Sequence, residues 1–222
     1  MRSALLLFSF SVIALLACGE SSAPPTTPTS ALPPRAAARP AAFANDDGAW
    51  GRYHSKRFQV SISLPDGKSW RIDDHSQPMM RAIHEGTSSK VSIQIEQQDE
   101  LMNRHKCEER ARTVGWVASK TMTTLDQEVI VGPEAYDSKI WVALDAAKPG
   151  GAVDGHVYLF GAFLRRCLFV HLETRVPGAT DEDILSDRLA VARARMFRGL
   201  AIDPLRTTDD AVVPRDKPEI RR

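Results

Sequence analysis

The chain has 222 residues, with 29 basic and 28 acidic side chains and a formal net charge of +1. That balance sets up no strong field, so nucleic acid is not an expected partner. Three cysteines, an odd number, leave one outside any pair within the chain.

The start is basic at Met1-Arg2, then apolar from Ala4 to Ala17, and ends in Leu15-Leu16-Ala17-Cys18. A charged start, an apolar run and a small residue before a cut site read as a secretory signal. The run is too short to span a bilayer, which takes about 20 apolar residues. A plain cleaved signal would not need cysteine at the first mature position. Leu-Leu-Ala-Cys resembles the lipobox of exported bacterial lipoproteins. The resemblance implies a signal peptide over 1–17, diacylation of Cys18, cleavage before it and acylation of the new amino end. The expected first partner is therefore the lipid bilayer, held through Cys18. One myristoyl chain binds reversibly at about 10⁴ M⁻¹ and each further buried CH₂ adds about 0.8 kcal/mol, so three chains make a permanent anchor. Gly19, rather than aspartate, follows the cysteine. That points to the outer membrane, facing the periplasm, with the cell surface as the alternative.

Residues 18–45 are rich in Ser, Thr, Ala and Pro, as in Ala23-Pro24-Pro25-Thr26-Thr27-Pro28. Such a stretch cannot bury enough apolar surface to offset its ordering entropy, and is expected to be a disordered spacer. A single globular domain is expected over 46–204, of the usual size for one core. A charged, proline-broken tail, expected to be disordered, fills 205–222.

Phe58, Val60, Ile62 and Leu64 alternate with polar residues and predict a half-buried strand. Pro65-Asp66-Gly67 ends it. A short apolar piece follows at Trp70 and Ile72, then a polar loop through Asp73-Asp74-His75, where both carboxylates are expected to be solvated. Met79–His84 can form a strand, and Val91, Ile93 and Ile95 alternate in another. Strands this close together predict an antiparallel meander. The period then changes. Between Glu100 and Val117, Asn103, Cys107, Ala111 and Val114 fall on one helical stripe that ends at Gly115.

Strands return at Val129–Val131, short and closed by Gly132-Pro133. In the next, Tyr136, Ile140, Val142 and Leu144 share one face, and Asp137, Lys139 and Trp141 the other. A loop is expected over 148–155. His156–Leu164 is apolar on both faces, as in a strand covered on both sides. Cys167–Thr174 is the expected last strand, after a turn somewhere in Ala162–Arg166. Thr180 then reads as a helix cap with Asp183 as its capping-box partner. Leu185, Leu189, Ala192 and Met196 form the stripe of that helix, and Gly199 follows its end.

This order resembles the PsbP-like domain family. The residues that carry the likeness are Phe58 to Leu64 with Pro65, Trp70, Gly132 before Tyr136, and the last strand running into the helix from Asp181 to Arg198. The resemblance implies an α+β fold, an α/β/α sandwich with a central, mainly antiparallel sheet flanked by two main helices. It also implies a domain that assists or binds other proteins, with no universal catalytic residues to carry over.

The candidate chemistries are thin. His105 and Cys107 point about 200° apart on a helix, and Cys167 and His171 lie about 13 Å apart along a strand. Neither pair can chelate one ion with ligands at about 2 Å, so no metal site and no cofactor are expected. There is no Gly-x-Ser-x-Gly elbow and no phosphate-binding Gly-Lys-Ser/Thr. Trp141, on a charged strand face, either packs beneath a helix or contacts a partner. With Cys18 lipidated, Cys107 and Cys167 remain as one expected disulfide in an oxidising compartment. It would tie the middle helix to the face of the last strand that carries Phe169. The expected function is a membrane-anchored, non-catalytic binding or assembly domain that contacts another envelope protein, with Trp141 and Asp154 as candidate contacts. The alternative is an envelope hydrolase whose site is assembled from scattered residues.

Overall fold

The structure is a computed structural model that describes residues 39–44, 46–118, 122–146 and 151–203. The signal, Cys18, most of the expected spacer, residues 148–150 of the expected loop and the tail lie outside the described residues.

Two antiparallel sheets and two helices make an α+β domain. A small sheet runs β1 (Gly51–Ser55), β2 (Val60–Leu64) and β10 (Ala201–Ile202), in that order. A seven-stranded sheet runs β3 (Trp70–Asp73), β4 (Met80–His84), β5 (Ser89–Gln97), β9 (Arg166–Val176), β8 (Val153–Phe163), β7 (Asp137–Ala146) and β6 (Thr123–Val131). Helix α1 is Arg104–Thr113 and α2 is Glu182–Val191.

The two faces of the large sheet have separate cores, because side chains alternate along each strand. On one face Val91, Ile93, Ile140, Val157, Leu159, Leu168, Val170 and Leu172 meet Leu185, Leu189 and Met196 of the final helix and Val60, Ile62 and Leu64 of β2. Each such side chain, fully buried, contributes about 1.5–3 kcal/mol. On the other face Trp141, Ala143, Tyr158, Phe160, Cys167 and Phe169 meet Cys107 and Ala111 of α1. The expected pairing of Cys107 with Cys167 is present, with S–S 2.02 Å. Gly155 shows how tightly the α2 face is built: a Cβ there would lie 2.7 Å from a methyl of Leu185.

Several expectations are corrected. Strand β6 is nine residues long, not three. It is the edge of the sheet and exposed on both faces, so its first half carries no apolar alternation. The expected loop over 148–155 is cut short, because Asp154 and Gly155 already pair with Asp145 and Leu144 in β8 and β7. The cap of α2 is Asp181 rather than Thr180, without a side-chain bond, because a 3-10 turn over Ala179–Asp181 leads directly into the helix. That helix continues as a π-helix over Ala192–Phe197. In α1, Asn103 is the N-cap and accepts from the Lys106 amide, while Val114 lies past the end and is 40% exposed. Asp74 is not solvated. It is buried, accepts from the Tyr53 and Ser55 hydroxyls, and offers its carbonyl to Arg57.

The domain also begins earlier than expected. Residues 39–44 form a strap over the α2 side: Phe43 is buried against Trp70 and His84. Arg188 of α2, 1% exposed, donates from Nε and Nη2 to the Ala41 carbonyl. Its Nη1 reaches the Thr87 and Arg175 carbonyls and the Thr174 hydroxyl. One large apolar residue in an Ala/Pro-rich stretch, Phe43, was the signal for this.

Candidate functional site

The face of the large sheet beside α1 is only partly covered. Helix α1 has ten residues, about 15 Å, and is held at the Cys167 end of β9 by the disulfide. Beyond its C-terminus the chain turns in a Schellman arrangement. The Trp116 amide donates to the Ala111 carbonyl at 2.8 Å, and that of Gly115 to Arg112 at 3.3 Å. Gly115 takes φ 80°, a left-handed conformation that glycine adopts without cost. The turn lays the Trp116 ring on Phe169, with centroids 5.6 Å apart. The Ala118 amide then donates to the Tyr158 hydroxyl at 3.1 Å.

Register brings one residue from each strand into a row across this face: Asp73, Arg81, Ser92, His171, Tyr158, Trp141 and Gln127. The middle of the row is stacked. Tyr158 lies 4.2 Å from His171 and 5.2 Å from Trp141, centroid to centroid. His156 Nδ1 is 3.1 Å from His171 Nε2. Both imidazoles are buried. Burial drives the His171 pKa well below the ordinary histidine value, with His156 and Lys90 adding to the effect. Burial also lowers His156, against the opposing pull of Glu173 and Asp154. The pair is therefore neutral at pH 7, one ring donating to the other. Burial pushes the Tyr158 phenol up to about 12, so it stays protonated too.

Trp141 is under the helix rather than on the surface: it is 4% exposed, lies beneath the Arg112 guanidinium at 4.8 Å and donates to the Thr124 hydroxyl at 3.0 Å. Its candidacy as a contact residue is corrected accordingly; the charged neighbours on its strand face pair with α1. Lys139 and Arg112 both bind Glu108. Burial alone would raise the Glu108 pKa, but these hydrogen bonds bring it below the ordinary value. Asp154 makes a bidentate pair with Arg175, at 2.6 and 2.7 Å, so its carboxylate is already engaged. The structure does not bring Trp141 and Asp154 into one patch.

What the row does form, at its β4–β5–β9 end, is a cleft of about 250 Å³. Val114, Gly115, Trp116 and Ala118 wall one side, Met79 and Arg81 the other, and Lys90, Ser92, His171 and Glu173 form the floor. Lys90 is paired with Glu173 at 2.5 Å. The residues at this cleft were not read from the sequence. Gly115 after a helix stripe was the available signal, because a left-handed residue there sends the next side chain back over the helix end.

A second polar cluster has the residue types of a catalytic set. His84 Nδ1 lies 3.0 Å from the Thr87 hydroxyl and His84 Nε2 lies 3.9 Å from Asp66. But Nδ1 also accepts from the Thr87 amide, and Thr87 is 2% exposed, beneath the strap. Its hydroxyl bonds onward to Ser89, and Ser89 to Thr174, which Arg188 holds. The cluster fastens the strap. Among the described residues no group of three or more His, Cys, Asp or Glu could hold a metal ion.

Neither a protein-family model nor a curated protein matches the sequence. Among solved structures, a point mutant of the protein Mog1 is similar over 69% of this chain and 95% of its own, with a TM-score of 0.50 at 6% identity. The Ran-binding protein Mog1p of Saccharomyces cerevisiae gives a TM-score of 0.48 at 7% identity, over the same shares of the two chains. A Bacteroides thetaiotaomicron protein gives 0.39 at 8%, covering 68% of this chain and 48% of its own. The domain thus shares a fold with Mog1.

Proposed function

We propose that this chain is a lipid-anchored envelope protein, fixed through Cys18, whose domain is a non-catalytic module that holds a protein partner on the open part of the α1 face. The PsbP-like kinship read from the sequence belongs to the same proposal. The observation that carries it is the cleft past α1: an indole, an exposed valine and a methionine stand beside two cations, at the mouth of a sheet face that the helix leaves uncovered. Small apolar anchors ringed by polar groups are what a protein contact needs. Catalysis would need a nucleophile, a base and an orienting group that substrate can reach. Among the described residues the set at Thr87 and His84 is sealed beneath Phe43, whereas His54, with Nδ1 3.1 Å from the Ser61 hydroxyl and Nε2 3.5 Å from Asp203, is a second set on the exposed surface of the small sheet and is the one that the hydrolase alternative would use. The likeness to Mog1 supports the scaffold alone.

The test is photo-crosslinking in living cells. A photoreactive residue at Val114 should capture one discrete envelope protein, and the same residue at Lys68 should not. Capture at Val114 should be lost in Trp116→Ala. Equal capture from both positions, or capture indifferent to Trp116→Ala, would remove the cleft from the reading. Cys18→Ala should abolish fatty-acid labelling of the chain; persistent labelling overturns the anchor.

A further inference from the structure

Resting on that reading, the cleft also indicates what part of a partner it takes. Most cations on this sheet face have an acid of their own. Lys90 pairs with Glu173, Arg110 with Glu96, Arg112 and Lys139 with Glu108, and Arg104 with Asp137. Arg81 has none among the described residues. Its only described side-chain hydrogen bond is to the Met79 sulfur at 3.9 Å, and its Nε is buried without a hydrogen-bond partner. The carboxylate across the ladder, Asp73, is spent on the amides of His75 and Ser76 and on the Ser76 hydroxyl. Beside Arg81 on the next strand, the Ser92 side chain makes no hydrogen bond to a described residue. The Arg81 Nε–H is enclosed by protein, so what the cleft offers is the rest of the half-buried guanidinium, a cation with no acid of its own, on which an anionic oxygen would make charge-assisted hydrogen bonds.

The anion must come with an apolar group, because Trp116, Val114 and Met79 line the same space. The cleft, at about 250 Å³, is smaller than the roughly 300–1,000 Å³ of a pocket for drug-sized ligands. It has room for about one large residue. An internal Asp or Glu brings a carboxylate without an apolar side chain. A chain-terminal Leu or Phe brings both in one residue, and capture of terminal carboxylates is a known recognition mode. We propose that this cleft binds the C-terminal residue of a partner polypeptide, its α-carboxylate on Arg81 and Ser92 and its apolar side chain against Trp116, Val114 and Met79. Arg81 sets the charge requirement, and Trp116, placed by the Gly115 turn, sets the apolar one.

The experiment uses the full chain in detergent with its four tryptophans labelled at the indole nitrogen. The Trp116 signal is identified by its loss in Trp116→Phe. Three synthetic hexapeptides are titrated: one ending in a free-acid phenylalanine, the same peptide as its C-terminal amide, and an amide with an internal glutamate in place of that phenylalanine. The free acid should move the Trp116 signal in a saturable way. The amide and the internal glutamate should each bind at least about tenfold more weakly, since a charge-assisted hydrogen bond is worth about 1.5–3 kcal/mol and each 1.4 kcal/mol is tenfold. Arg81→Gln should weaken the free acid to the level of the amide, with an unchanged melting temperature. Equal binding of acid and amide, equal binding of the glutamate peptide, or no movement of Trp116 with any of them overturns the proposal. Crosslinking from Val114 that persists alongside such a failure would leave the protein-binding reading standing, with a different occupant in the cleft.

Discussion

On its α2 side the seven-stranded sheet presents Val91, Ile93, Leu159, Val170 and Leu172 to a helix and a second sheet, in one continuous apolar cluster. On its α1 side the same strands present Phe160, Phe169 and Trp141 under a short helix, then a histidine pair, then an open cleft. The first side is closed by the larger apolar cluster, with the Arg188 hydrogen bonds fastening the strap to it. The second has a smaller buried cluster beneath α1, and a disulfide ties the helix to it. The α2 side can therefore carry stability while the α1 side leaves polar groups uncovered. A protein that must keep a binding face open gains from this division.

Truncation on the α2 side should give the largest effect. Leu159, with no exposed surface, sits in the middle strands of that cluster, and Leu159→Ala should cost up to about 5 kcal/mol, read as a lowered urea midpoint for the whole domain. A loss under about 1 kcal/mol would show that the cluster relaxes around the gap. Removing the disulfide should cost somewhat less. With its ends 60 positions apart in sequence, the chain-entropy model gives about 4 kcal/mol. In Cys107→Ala, Cys167→Ala, hydrogen exchange should accelerate in Arg104–Thr113 well before it does in β8 and β9. Uniform acceleration would mean that the two sides are not separate.

Acid should act on the α1 side next. In the unfolded chain each histidine takes up its proton near pH 6.5, the ordinary value of about 6.5. Burial holds His156 and His171 below that value in the folded domain. The unfolded state thus binds more protons as the pH drops. Stability is complete above about pH 6.5 and declines below it, by at most about 1.4 kcal/mol per pH unit for each histidine. His156→Gln, His171→Gln should flatten most of that slope and leave the part due to His84, whose pKa burial also lowers. An unchanged slope would place the acid sensitivity elsewhere. The smallest effect should come from Asp154→Ala, which removes a pair with an exposed Arg175 and should cost under about 1 kcal/mol with no loss of partner crosslinking from Val114.

Much of this contrast was legible from residue patterns. Alternation located β2 and β5 and grouped Tyr136, Ile140, Val142 and Leu144 on one face, which in the structure joins the larger core. Strand parity put Cys167 and Phe169 on one face, and the expected disulfide put that face beneath the middle helix. Parity cannot fix register, and register made the site. The turn between β8 and β9 falls at Leu164, which takes φ 52° although it is neither glycine nor asparagine, so no turn dipeptide marked it. Without that turn, the meeting of His156, Tyr158 and His171 could not be read. Strand β6 was read as three residues rather than nine because an edge strand exposed on both faces loses its alternation, and the strap was missed because a single phenylalanine in a low-complexity stretch has no period. The cleft combined both difficulties: Arg81 and Ser92 needed register, and Trp116 needed the geometry of one glycine.

The strap has a mechanical consequence. Tension on the chain ahead of Arg39 would be delivered first to the Arg39–Asp183 ion pair and the Ala41 carbonyl, and through Arg188 to α2 and the ends of β5 and β9. The load thus enters on the side already closed by burial, spread over several hydrogen bonds and one buried phenyl ring. The cleft lies on the opposite face of the sheet, but its floor residues Lys90, Ser92, His171 and Glu173 belong to the same two strands, so a pull on the strap would reach the cleft through the backbone of β5 and β9.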